Sequence, residues 1–279
     1  MSKIKLGIKD SIAETLFITL YAKAVETKQK DPLITDITAC ELVEKIDYDF
    51  SKYKNKKKSS VGVAIRSSHF DSVVKQFIQN HTNPIVVLVG CGLDARIQRI
   101  GTVADKTIFY ELDIEESINL RKQLMTPKHN EYLISGSMLE TKWMDDLIAR
   151  HPNGNFIFII EGVLMYFNEA DNKFVFTEMA KRFNGAEIHF DMLNKFMSTK
   201  SSIHDTVSKT NATFKFGIGH EKEIEEWHPK LKHIKTYLFN EFKGYQRMGW
   251  FITMLMRTIP AFKTASMLLA YKIDGKYRQ

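Results

Sequence analysis

VVLVGCGLDARIQRI, residues 86–100, runs from an apolar strand-like segment through Gly90-Cys91-Gly92 into a polar stretch of helical spacing. Glycines at such a junction let the backbone turn sharply and let a nucleotide approach with no Cβ in the way. With Ala95 the segment also satisfies the G-x-G-x-x-G/A dinucleotide fingerprint. Three readings are open here: a nicotinamide site, another nucleotide site, or a close strand-to-helix turn capped by Asp94.

Working outward, short apolar runs alternate with polar helical segments. Strands are predicted over 85–90, 107–112, 131–135, 155–160 and 186–191, with helices over 94–101, 115–125, 140–150 and 169–183. That is the βαβ rhythm of a doubly wound α/β sheet. Segments 233–239 and 267–273 are expected to return as two late strands, which makes seven and suggests a methyltransferase-type sheet. Before the glycine turn the chain reads as helical, over 11–28, 38–46 and 60–80. One domain over 1–279 is therefore expected: a helical extension (1–83), a cofactor-binding βαβ core (84–192), a helical lid over the acceptor region (193–232) and the final strands (233–279).

Composition excludes more than it assigns. An apolar content of 44% with 26% charged residues is ordinary for a globular domain, so neither disorder nor a fibrous repeat is expected. The net charge of +7 permits polyanion binding without requiring it, and the five lysines of KYKNKKK (52–58) read as a solvated loop. Cys40 and Cys91 are far apart and neither has a zinc-like partner, which argues against a disulfide framework and fits a reducing compartment. No run is long enough to span a bilayer and no secretory signal is visible, so a cytoplasmic protein without a membrane partner is expected. No N-P-P-Y-type motif occurs, and no nucleic-acid partner is expected. Oligomeric state is open.

Two acids add chemistry to the turn. Asp113 ends the second predicted strand, 21 residues beyond Gly92, where a carboxylate accepts hydrogen bonds from both hydroxyls of a ribose. It also forms, with Glu116, a D-x-x-E pattern that can cap the next helix; Glu111, on the same strand face, is a second choice. Glu161 follows the apolar NFIFII at the carboxyl end of the fourth strand, where ligands bind in open α/β sheets. A carboxylate there needs a cationic partner, which a methionine ammonium or a neighbouring Lys or Arg supplies. Too little chain follows the fifth strand for a separate dehydrogenase substrate domain, which favours S-adenosylmethionine over NAD.

The blocks TLFITLYAKAVETKQKDPLITD (15–36), VAIRSSHFD (63–71), VLVGCGLDARIQRI (87–100), YELDIEESINLRKQL (110–124), EGVLMYF (161–167) and FKFGIGHEKEIEEW (214–227) together resemble the leucine carboxyl methyltransferase superfamily. The likeness is to its bacterial branch of small-molecule O-methyltransferases, similar to the tetracenomycin polyketide enzyme. The resemblance implies a seven-stranded Rossmann-like class I fold and S-adenosyl-L-methionine as cofactor. It implies Arg66 on the cofactor carboxylate, Gly90 and Gly92 lining it, Asp113 on the ribose, Glu161 near the amino group, and Tyr166 at the methyl-transfer cleft. Where relatives carry an acid for the adenine amino group, this chain has Met138 and Leu139, so Met138 is expected to cover the ring and a backbone carbonyl near Leu139 to bond it. Arg96 and Arg99 fit the pattern as packing residues.

Methyl transfer to a carboxylate needs no base, whereas a hydroxyl acceptor does; His189, Asp191, Glu161 and Tyr166 are the candidates, with His189 also readable as a packed strand residue. The implied acceptor is a small molecule; esterification of a protein C-terminus and a nicotinamide-dependent oxidoreductase are the alternatives.

Overall fold

β1 (Pro84–Val89), the strand that delivers the glycine turn, is buried at all six positions. It lies between β2 (Ile108–Asp113) and β4 (Asn155–Ile160), parallel to both. With neighbours on both edges and helices on both faces it has no polar side, which is why PIVVLV does not alternate. In the computed structural model, which describes residues 4–5, 10 and 12–275, β3 (Glu131–Ser135), β5 (Glu187–Leu193), β6 (Leu231–Leu238) and β7 (Ser266–Ile273) complete a seven-stranded sheet in the order β3-β2-β1-β4-β5-β7-β6. β7 is antiparallel to both of its neighbours. All seven expected strands are present, and Asp113 and Glu161 sit at carboxyl ends on either side of β1, where the strand order reverses.

The faces of β1 alternate between two cores. Val87 and Val89 pack with Trp143 of α6 (Lys142–Arg150) and Phe176 of α7 (Glu169–Arg182), while Val86 and Leu88 pack with Val74 of α3 (Lys57–Asn80) and Ile97 of α4 (Arg96–Arg99). A third cluster joins α1 (Leu16–Thr27) and α2 (Ile37–Lys45) to Leu93, Ala95 and Tyr166, so the extension roofs the glycine turn. Ser11, the first residue of the expected helix 11–28, lies outside the described residues, as do 276–279.

Four local expectations are corrected. α3 begins at Lys57, not at 60, and Phe50–Tyr53 forms a turn with Phe50 and Tyr53 buried, so the lysine run is anchored at both ends. α4 spans only Arg96–Arg99, and Asp94 does not cap it because ion pairs take its carboxylate. Asp113 and Glu116 form no capping box; α5 (Glu115–Leu124) follows Ile114 with no side-chain cap. The lid is helical only in short pieces and not as one continuous helix: a turn of α-helix over Lys195–Ser198, whose first turn the Asn194 side chain caps by accepting from the Met197 N–H, and 3-10 turns over Ser201–Ile203, Val207–Lys209 and Glu223–Trp227. A helix over GWFITMLM was not foreseen: α8 (Trp250–Thr258) packs Thr253 and Met256 inward. Among the described residues no helix is long and apolar enough to cross a membrane.

Beside Asp113 on β2, fully buried Glu111 shares Arg121 with Glu131, two carboxyls around one guanidinium. Burial pushes Glu111 up to about 8, against the pull of Arg121 and with the help of Glu131. Between its ordinary 4.5 and about 8 the unfolded chain therefore releases a proton that the fold retains, so this group costs stability as pH rises through that window. Urea unfolding of wild type and Glu111→Gln checks it: wild type should lose stability relative to the variant across the window. A difference independent of pH would contradict it.

Candidate active site

The turn after β1 is built by its neighbours. Gly90 and Gly92 have φ of +72° and +49°, a region that favours glycine. The Gly90 and Cys91 N–H groups donate to the Leu112 carbonyl at 2.8 and 3.1 Å, which ties the turn to β2. Asp113 continues the tie: its Oδ2 accepts from the Gly92 N–H at 2.7 Å and its Oδ1 from the Ile114 N–H at 2.8 Å. A Cβ on Gly90 would stand 2.3 Å from the Val163 Cγ2, and one on Gly92 3.3 Å from the Leu16 Cβ. The bare turn thus makes room first for the loop after β4 and for α1; a ligand meets it through its backbone.

Below the turn lies a buried ion network. Arg66 donates from Nε to Glu161 Oε1 at 3.0 Å and from Nη1 to Asp191 Oδ2 at 2.7 Å. Arg96 contacts Glu161 and bonds Asp71 at 2.6 Å, and Arg99 reaches Asp36, Asp71 and Asp94. Lys23 of α1, itself buried, pairs with Asp94. Burial would raise Glu161 and Asp94, but Arg66 and Arg96 hold Glu161 low, and Arg99, Lys23 and Arg96 hold Asp94 well below the usual carboxylate range. Asp191 is raised by burial despite Arg66. The cation expected beside Glu161 is thus the protein's own. Five carboxylates meet four cations, which leaves a formal surplus of one negative charge before Asp113 is counted.

Between the turn, the network and α1 opens a cavity of about 320 Å³, in the size range of small-ligand sites. Six of the expected residues line it: Arg66, Gly90, Gly92, Asp113, Met138 and Glu161. Three do not. Leu139 does not line it, although Gly136, Ser137 and Met138 do; its N–H donates to the Ser137 Oγ at 3.1 Å. His189 is not among the lining residues, and its Nε2 bonds Glu187 at 2.9 Å. Tyr166 is buried in the wall beside it, its ring 5.6 Å from that of Phe214 in the lid; burial pushes its hydroxyl up to about 12, a hydrogen bond with Thr15 opposing.

Lys23, Asp94 and Arg96 also line the cavity. Lys23 was legible, since it falls at helical spacing with Leu16 and Leu20 on the buried side of α1, where a lone cation requires an anion. Arg96, expected only to pack α4, does both. Ala95, which completed the dinucleotide fingerprint, is buried against the roof.

The chain is 28% identical over 263 residues to the tetracenomycin polyketide synthesis O-methyltransferase TcmP of Streptomyces glaucescens, covering 93% of this chain and 96% of that protein. It is 22% identical to the S-adenosyl-L-methionine-dependent methyltransferase dpfgK of Gibberella zeae, over 89% of this chain and 90% of the other. A DUF574 family protein from Streptomyces avermitilis shares the fold at 9% identity, with a TM-score of 0.59 over 92% of this chain and 96% of that one. The sequence pattern of one family, leucine carboxyl methyltransferase, matches residues 17–180, so the chain belongs to that family and is a methyltransferase.

Proposed function

We propose that the cavity holds S-adenosyl-L-methionine and that the enzyme esterifies a carboxyl group of a small-molecule acceptor. The observation that carries the cofactor reading is the pairing of a half-used Asp113 with a floor of surplus negative charge. Each Asp113 oxygen accepts one backbone N–H and the Ser117 hydroxyl also bonds the carboxylate, which leaves remaining acceptor capacity for a ribose hydroxyl. Arg66 is held through Nε and Nη1, which leaves Nη2, beside Gly162, for the cofactor carboxylate. The surplus charge suits a ligand bearing a sulfonium and an ammonium. Met138, Ser137 and Gly136 are suited to the adenine side.

When bound, S-adenosylmethionine supplies a methyl group activated on sulfur. The task of the chain is to align an acceptor oxygen with it and to exclude water; positioning of this kind is worth roughly 7–11 kcal/mol of barrier. The base candidates favour a carboxyl acceptor over a hydroxyl. Glu161 is held ionised by two arginines, Asp191 is bonded to Arg66 and to the Gly162 N–H, His189 faces Glu187, and Tyr166 stays protonated at neutral pH. A carboxylate acceptor, already ionised, needs none of them. Tyr166 packs on Phe214 of the lid, which ties the lid to the loop after β4.

Calorimetry should show S-adenosylhomocysteine binding and NAD(H) silent. Asp113→Ala and Arg66→Ala should each weaken that binding more than tenfold, or about 1.4 kcal/mol; two variants that are folded and bind normally would remove the site. The methylated product should release methanol in base, as an ester does; a base-stable ether would overturn the carboxyl reading. His189→Asn should lose far less than the ~100-fold that removal of a general base costs.

A further inference from the structure

Residues 50–70 and 242–273 hold eleven lysines and arginines and no acid; Lys52, Arg66, Lys243 and Arg247 pair with acids from elsewhere in the chain, which leaves seven cations. The fold packs these stretches together: Val61 and Ile65 of α3 share one cluster with Tyr245 and Met256. Lys54, Lys57, Lys58, Arg257 and Lys263 are exposed around that contact.

The same region shows its apolar residues to solvent. Outward from α8 stand Trp250 (78% exposed), Phe251 (53%) and Met254 (43%), with Ile259 (40%) just beyond. The Trp250 and Phe251 rings meet edge to face at 5.8 Å. Scattered apolar side chains need no explanation, but a cluster of this kind on one short amphipathic helix does. A second copy is a poor occupant, because a twofold contact through this face sets its cations against their own copies. An anionic bilayer matches both features: aromatic rings settle at headgroup level and lysines meet the phosphates.

We propose that α8, residues 259–263 and the lysine run 54–58 form a surface that docks the protein on an anionic membrane, with Trp250 and Phe251 entering the headgroup layer. The expectation of no membrane partner rested on the lack of a spanning run, which a surface helix does not require. The face also borders the lid, since the Ser59 hydroxyl contacts Asp205 and lies 3.1 Å from the Thr206 Oγ1.

Co-sedimentation with vesicles of equal parts phosphatidylglycerol and phosphatidylcholine, against phosphatidylcholine alone, tests this. Binding is expected to the anionic vesicles only and to weaken with salt. Trp143 and Trp227 are buried, so a blue shift of tryptophan emission on binding reports Trp250. Trp250→Ser/Phe251→Ser and Lys57→Glu/Lys58→Glu should each partition at least tenfold less, with circular dichroism and unfolding midpoint as wild type. No binding to anionic vesicles, unshifted emission, or folded variants that bind as wild type would overturn the proposal. So would a dimer in sedimentation velocity that Trp250→Ser/Phe251→Ser abolishes, since the face would then belong to a second copy.

Discussion

The buried ion network beneath the glycine turn is the constraint on which the rest of this structure depends. Its members come from α1, the residue that caps α2, α3, the turn after β1, α4 and the ends of β4 and β5, so one set of charges joins the helical extension to the sheet. Each charge is removed from water and is tolerable only while its partners stay in place; deleting one member of a buried pair typically costs about 3–5 kcal/mol. The extension therefore cannot be a loosely attached cap. Without Lys23 and Asp36 in position, Asp94 and Arg99 each lose one partner and keep, besides each other, only those of α3 and α4.

The network also divides the labour at the site. By binding Glu161 and Asp191, Arg66 removes two acids from the pool of bases and turns them into fixed dipoles around the cavity. What remains is a site good at holding charges in place and poor at taking up protons. That balance accords with transfer to an oxygen that is already ionised, and with an active site whose rate comes from alignment.

Much of this was legible in the sequence. IVVLVG (85–90) read as a strand, and the spacing from Gly92 to Asp113 placed the acid at the end of the next one. The seven strands followed from such local patterns, as did Gly90, Gly92, Asp113 and Glu161, whereas Arg66 and Met138 came from the resemblance to a known family. What stayed hidden was pairwise and long-range. Asp94 looked like a helix cap because its neighbours in sequence form a helix; its partners Lys23 and Arg99 reach it only in the fold. His189 alternates with apolar residues on β5 just as Asp191 does, and only the structure shows that one meets Glu187 and the other Arg66. The lid is broken into short helical pieces, an outcome periodicity does not register.

A crystal structure of the complex with S-adenosylhomocysteine tests the central claim most directly. The two ribose hydroxyls should lie within hydrogen-bond distance of the Asp113 carboxylate, with the Gly92 N–H still bonded to it and Arg66 still paired with Glu161 and Asp191. A ligand that leaves Asp113 untouched, or that binds only after the Arg66 pairs have broken, would contradict a prebuilt floor.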